Sequence, residues 1–91
     1  MNIEKALNKA SKILNKFNIK SSNLDSQVLL ANVINENRDY IILNSKKKLS
    51  KKYLNNYNNL IKRRIKGEPV AYLINKKEFW KHTFYVNKNV L

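Results

Sequence analysis

Gly67-Glu68-Pro69-Val70-Ala71-Tyr72-Leu73-Ile74-Asn75-Lys76-Lys77-Glu78-Phe79-Trp80 is the stretch that decides the fold, because it holds the chain's only Gly, only Pro and only Trp. Residues able to stop a helix and redirect the chain are concentrated there. Gly67 suits a left-handed helix terminus, and Pro69 forces Glu68 into an extended conformation and can open a new short helix. Beyond it the period changes: Phe79, Lys81, Thr83 and Tyr85 alternate with Trp80, His82, Phe84 and Val86. That alternation predicts two short strands, a hairpin over residues 78–86.

Upstream of Gly67 the chain reads as helix. Ser50 is a good N-cap for a helix that turns Leu54, Tyr57, Ile61 and Ile65 inward, with Tyr53 and Leu60 at the margins. Its last turns carry Lys62, Arg63, Arg64 and Lys66, cations that complement the negative end of the helix dipole. Arg38 to Asn44 predicts a short helix in which Tyr40, Ile41, Ile42 and Leu43 crowd together, so we expect a buried crosspiece. Before it, Ser22 or Asn23 caps a helix whose Leu24, Val28, Leu29, Ala31 and Ile34 face inward and which Asn35-Glu36-Asn37 ends. Asp25 reads there as a first-turn charge suited to the helix dipole rather than as a catalytic group.

The first helix is marked by Ile3, Ala6, Leu7, Ala10, Ile13, Leu14 and Phe17 at spacings of three and four. Lys5, Lys9, Lys12 and Lys16 form a stripe beside that apolar face. A solvated lysine face is the preferred reading, since no aromatic or Arg is interleaved; a phosphate-binding ridge is the other. Lys46-Lys47-Lys48 reads as a solvated loop that is also a candidate phosphate contact. The aromatics Tyr72, Phe79, Trp80, Phe84 and Tyr85 are better placed to pack the hairpin than to stack on bases.

The 91 residues make one domain, and with 43% hydrophobic residues they can bury a modest core. A formal net charge of +13 favours an acidic partner such as RNA. The abundance of Asn, Lys and Ile offers compositional drift as an equal explanation. There is no Cys and only His82, so neither thiolate chemistry nor a metal site is expected. One Gly excludes a Gly-rich phosphate or dinucleotide loop, and no paired carboxylates are spaced for acid–base work. No apolar run approaches the roughly 20 residues of a membrane span, which reads as a cytoplasmic protein.

The string Arg63-Arg64-x-x-Gly67-Glu68-Pro69-Val70-Ala71-Tyr72-Leu73, followed by Glu78-Phe79-Trp80 and then Val86 to Leu91, resembles the end of the N-terminal domain of the HemK/PrmC methyltransferases. Weaker similarity over Leu24 to Ile34, with Asp25 and Leu29-Leu30-Ala31, extends it upstream. Asn75 and Lys81 stand where that family favours Gly. That family methylates the side-chain amide of a glutamine in peptide-chain release factors. The resemblance implies a mainly α domain, a bundle of four to five helices over residues 1–75 that recognises the release factor. Residues 76–91 would then be a hairpin linker to a catalytic domain, with Glu78, Phe79, Trp80, Phe84 and Tyr85 as connector residues. Lys5, Lys9, Lys12, Lys16, Arg63 and Arg64 are the candidate partner-binding residues. S-adenosylmethionine is implied for the parent protein only, because the family's cofactor fold and Asn-Pro-Pro-Tyr motif are missing and these 91 residues should be non-catalytic. The alternatives are a free-standing basic helical RNA-binding module and a purely structural cap on another domain.

Overall fold

The computed structural model describes residues 1–74, and the expected hairpin at 78–86 lies outside them. Four helices run in order, α1 (Ile3–Lys16), α2 (Ser22–Ile34), α3 (Arg38–Leu43) and α4 (Lys51–Ile65), and residues 70–74 are again helical. No strand longer than a single bridge occurs among the described residues. The mainly helical expectation therefore holds over this region.

α2 is the central element and packs against α1, α3 and α4. Its inward stripe is Ser22, Asp25, Ser26, Leu29, Leu30 and Val33, a spacing of three and four that begins with polar residues. Ala31 is buried as well, so the C-terminal half is covered on more than one side. Around it Ile3, Ala6, Ala10 and Leu14 of α1, Ile41 of α3 and Tyr57 and Ile61 of α4 complete one core, joined by Leu49 and Leu73.

The polar start of that stripe corrects the sequence reading: Leu24, expected inward, is 48% exposed, one position off the true stripe. The cap differs too. Ser21 precedes the helix and makes no side-chain cap bond, while Asn23, one of the expected caps, accepts a 2.6 Å hydrogen bond from Ser11 Oγ of α1.

Three helices end in the same way. Asn18, Asn35 and Gly67 all have positive φ, at 65°, 65° and 109°. Each sends its N–H back to the carbonyl three residues earlier, and the next residue reaches back five: Ile19 N–H to Leu14 O, Glu36 N–H to Ala31 O and Glu68 N–H to Arg63 O, at 2.9–3.2 Å. This Schellman arrangement satisfies carbonyls that a helix end leaves unpaired. At α1 it brings Ile19 onto the core and turns the chain before Phe17 can extend the apolar face. Phe17, expected inward, is accordingly 54% exposed.

α3 departs most from expectation. Asn37 caps it by accepting from Tyr40 N–H, and within its six residues only Ile41 is buried. Ile42 and Leu43 are 59% and 82% exposed. Successive helical residues point about 100° apart, so a helix of under two turns with one covered side buries one residue of three adjacent apolar ones. The crosspiece is buried at Ile41 alone.

The N-terminus of α1 is held by the loop before α4. Asn2 pairs with Lys48 in an antiparallel bridge, and Ile3 N–H and Glu4 N–H donate to Lys47 O and Ser45 O at 3.0 and 2.8 Å. Asn2 Oδ1 accepts from Lys5 N–H, so orphan donors of the first turn are met by the loop and the cap. α1 and α4 thus start from the same end of the bundle.

Candidate partner-recognition surface

Lys5, Lys9, Lys12 and Lys16 are all exposed along α1. Between α1 and α4 lies a groove of about 170 Å³, floored by Ala6, Ala10, Ile13, Leu54, Tyr57 and Ile61 and edged by Met1, Lys9 and Asn58. Glu4 is the acidic residue of α1, and Lys46 Nζ donates to its Oε1 at 2.7 Å. That hydrogen bond, with the Lys46 charge, holds the Glu4 carboxyl below its ordinary value. Glu4 is therefore already engaged, and the lysine stripe faces solvent.

Arg63 and Arg64 sit elsewhere. Arg63 donates twice to the Glu68 carboxylate, Nε to Oε2 at 2.8 Å and Nη2 to Oε1 at 2.6 Å, and this bonding raises the guanidinium above its ordinary value. Arg64 Nε donates to Asp25 Oδ2 at 3.0 Å, and its Nη1 reaches Glu68 O at 3.4 Å. Ser21 Oγ donates to the same Asp25 oxygen at 2.9 Å. The two arginines, the Gly67 turn and Asp25 form one brace that fixes the end of α4 against the start of α2. Neither arginine lines the α1–α4 groove, so the six predicted partner-binding residues fall in two separate places.

Asp25 is only 5% exposed, and its role as an ion-pair partner was not legible at the sequence level. The one available signal was its position, in the same stripe as Ser22, Ser26 and Leu29. A second polar link was equally hidden: Tyr57 Oη donates to Ser26 O at 2.8 Å inside the core, and burial pushes the phenol's pKa up.

The Lys46–Lys48 loop is engaged within the chain. Lys47 Nζ donates to Tyr40 Oη at 2.7 Å and lies 5.4 Å from that ring's centre, beside a second cavity of about 270 Å³. Tyr72 is half-exposed; Glu78, Phe79, Trp80, Phe84 and Tyr85 lie outside the described residues. Among the described residues no acidic or His cluster could hold a metal ion, and no helix is long and apolar enough to cross a membrane.

Fold and surface together define a small helical domain with a cationic face, braced where the chain leaves α4. The PrmC N-terminal domain model matches residues 5–74, and the chain belongs to that family. It is 43% identical over 89 residues to a protein of Rickettsia felis named bifunctional methyltransferase, a match covering 98% of this chain and 17% of that protein. It is 41% identical over 91 residues to the release factor glutamine methyltransferase of Buchnera aphidicola subsp. Baizongia pistaciae, covering 100% of this chain and 32% of the relative. The counterpart in Leptospira interrogans is 36% identical over 85 residues, covering 93% and 30%. The chain thus spans less than a third of the length of each of these relatives. No solved structure matches the chain.

Proposed function

We propose that this chain is the substrate-recognition domain of an S-adenosylmethionine-dependent methyltransferase acting on a glutamine of a peptide-chain release factor. The observation that carries the reading is the PrmC N-terminal domain match over residues 5–74, with relatives named for release factor glutamine methylation. Residues 1–75 recognise the release factor and hold its Gly-Gly-Gln loop toward the reacting centre. Residues 76–91, with Glu78, Phe79, Trp80, Phe84 and Tyr85, connect the recognition domain to a catalytic domain in cis. The setting is the cytoplasm.

The contribution of such a domain is orientation. Holding the substrate beside the catalytic groups removes translational and rotational freedom before the chemical step, without altering the chemistry. This chain's residues do not fit the cofactor: one Gly cannot build a Gly-rich loop, so S-adenosylmethionine belongs to the catalytic domain. What the chain supplies is a rigid brace at Asp25, Arg64, Arg63 and Glu68 and a cationic surface.

Calorimetry of residues 1–91 against a bacterial release factor and against S-adenosylmethionine tests the reading. Binding to the first and none to the second is expected. Tight binding to one RNA sequence at physiological salt, with no release-factor binding, would replace the reading with the RNA-binding module.

A further inference from the structure

We infer that the α1–α4 groove is a docking site for an acidic protein segment carrying one apolar anchor residue; this rests on the reading of the chain as a protein-recognition domain. The groove has an apolar floor in Ala6, Ala10, Ile13, Leu54, Ile61 and the buried Tyr57. Its α1 rim is Lys9, continued along the helix by Lys5, Lys12 and Lys16, all exposed. Its α4 rim is Asn58. Residues three, four and seven apart share a helix flank, so Lys51, Asn55 and Lys62 continue that rim, and all are exposed. Neither rim carries an acid.

Six lysines and two amides thus flank an apolar trough, and charge complementarity selects an anionic occupant. Two features favour an acidic polypeptide over a nucleic acid. Neither rim carries an aromatic ring or Arg on which bases stack. The floor is aliphatic apart from Tyr57, which at 1% exposure offers no open ring face to a base, and the volume of about 170 Å³ matches a side chain. The occupant is an amphipathic acidic segment: its carboxylates meet the lysines and amides, and its anchor displaces water from the floor.

The test uses amide resonances of the 91-residue chain titrated with three probes: a helical peptide of Glu, Ala and Leu, the same peptide with Ser for Leu, and oligo(U). The Leu peptide should move Ala6, Lys9, Ile13, Leu54 and Asn58, and the Ser peptide should bind about tenfold more weakly. Lys9→Glu/Lys12→Glu should weaken the Leu peptide by about tenfold, while Lys20→Glu/Arg38→Glu, the same change in charge at exposed positions away from the rims, should stay within about twofold. Asn58→Trp, which fills the trough from an exposed position, should abolish binding; Asn56→Trp, exposed on another flank of α4, should not. Equal losses from the two double variants, tighter binding of oligo(U) at the same residues, or no shifts would each overturn the docking site. A release factor that binds the chain and ignores Lys9→Glu/Lys12→Glu would sink the groove and leave the recognition reading standing. Peptide binding at the groove without release-factor binding would do the reverse.

Discussion

Arg64 Nε lies 3.0 Å from Asp25 Oδ2, a bond between residues 39 apart that ties the last turn of α4 to the first turn of α2. Asp25 is nearly sealed and Arg64 keeps about a fifth of its side chain in water. The adjacent Arg63–Glu68 pair is about a third exposed on both sides. Two neighbouring arginines therefore hold pairs of unequal weight.

Removing Arg64 leaves a buried carboxylate with only Ser21 and the helix start to satisfy it. Arg64→Ala should cost about 3 kcal/mol, the low end for breaking a buried pair, because water reaches Arg64. Arg63→Ala should cost distinctly less, because its pair with Glu68 keeps about a third of each side chain in water. Urea unfolding followed by helical circular dichroism measures both. Equal losses would show that the Asp25 pair is no more than another surface contact.

Tyr57 supplies a pH test with a definite sign. Burial raises its pKa in the folded state, so above about pH 10, the ordinary phenol value, the unfolded chain releases a proton that the native chain keeps. The unfolded state then binds fewer protons, and stability falls as pH rises. The contribution is complete below about pH 10 and is lost above it. Tyr57→Phe should cost about 1 kcal/mol near neutrality, for the lost bond to Ser26 O, and should flatten the alkaline decline. Melting temperatures of both proteins between pH 8 and 11 decide the point.

These two links mark where the sequence was silent. Helix periods and stop signals were legible: the apolar faces of α1 and α4, Ser50 as a cap, Asn35 at the end of α2 and Gly67 at the end of α4. The inward face of α2 was not. Its leading residues, Ser22, Asp25 and Ser26, are polar, and they are buried because Arg64 and Tyr57, far along the chain, face them. A periodicity argument counts apolar residues and so fixed on Leu24. Exposure of Ile42 and Leu43 escaped it for the opposite reason, since apolar composition does not reveal which side of a short helix is covered.

The shared helix terminus predicts a graded set of substitutions. At Asn18 and Asn35 a side chain already tolerates the left-handed region, so Asn→Gly should be close to neutral while Asn→Ala should cost about 1–2 kcal/mol at each. A Cβ at Gly67 would meet nothing within 4 Å, so Gly67→Ala measures backbone strain at φ +109° without a clash. It should cost about 1–2 kcal/mol. Thermal unfolding of the three Ala variants tests this, and a neutral Gly67→Ala would show that the turn relaxes to negative φ.

The last prediction separates two adjacent apolar residues of α3. Ile41 is fully buried in the common core, and truncating it removes both transfer energy and packing contacts; Ile41→Ala should cost about 2–4 kcal/mol. Leu43, 82% exposed, has little to lose on truncation, and Leu43→Ala should stay within about 0.5 kcal/mol. Leu43→Glu is the stricter test. It should leave stability equally unchanged while improving solubility, because it breaks an apolar pair that faces water with Ile42. Denaturant midpoints of the three variants, at equal protein concentration, give the comparison. A loss at Leu43 comparable to that at Ile41 would mean that the side chain is packed in solution and that α3 is buried along its whole length, as its composition suggested.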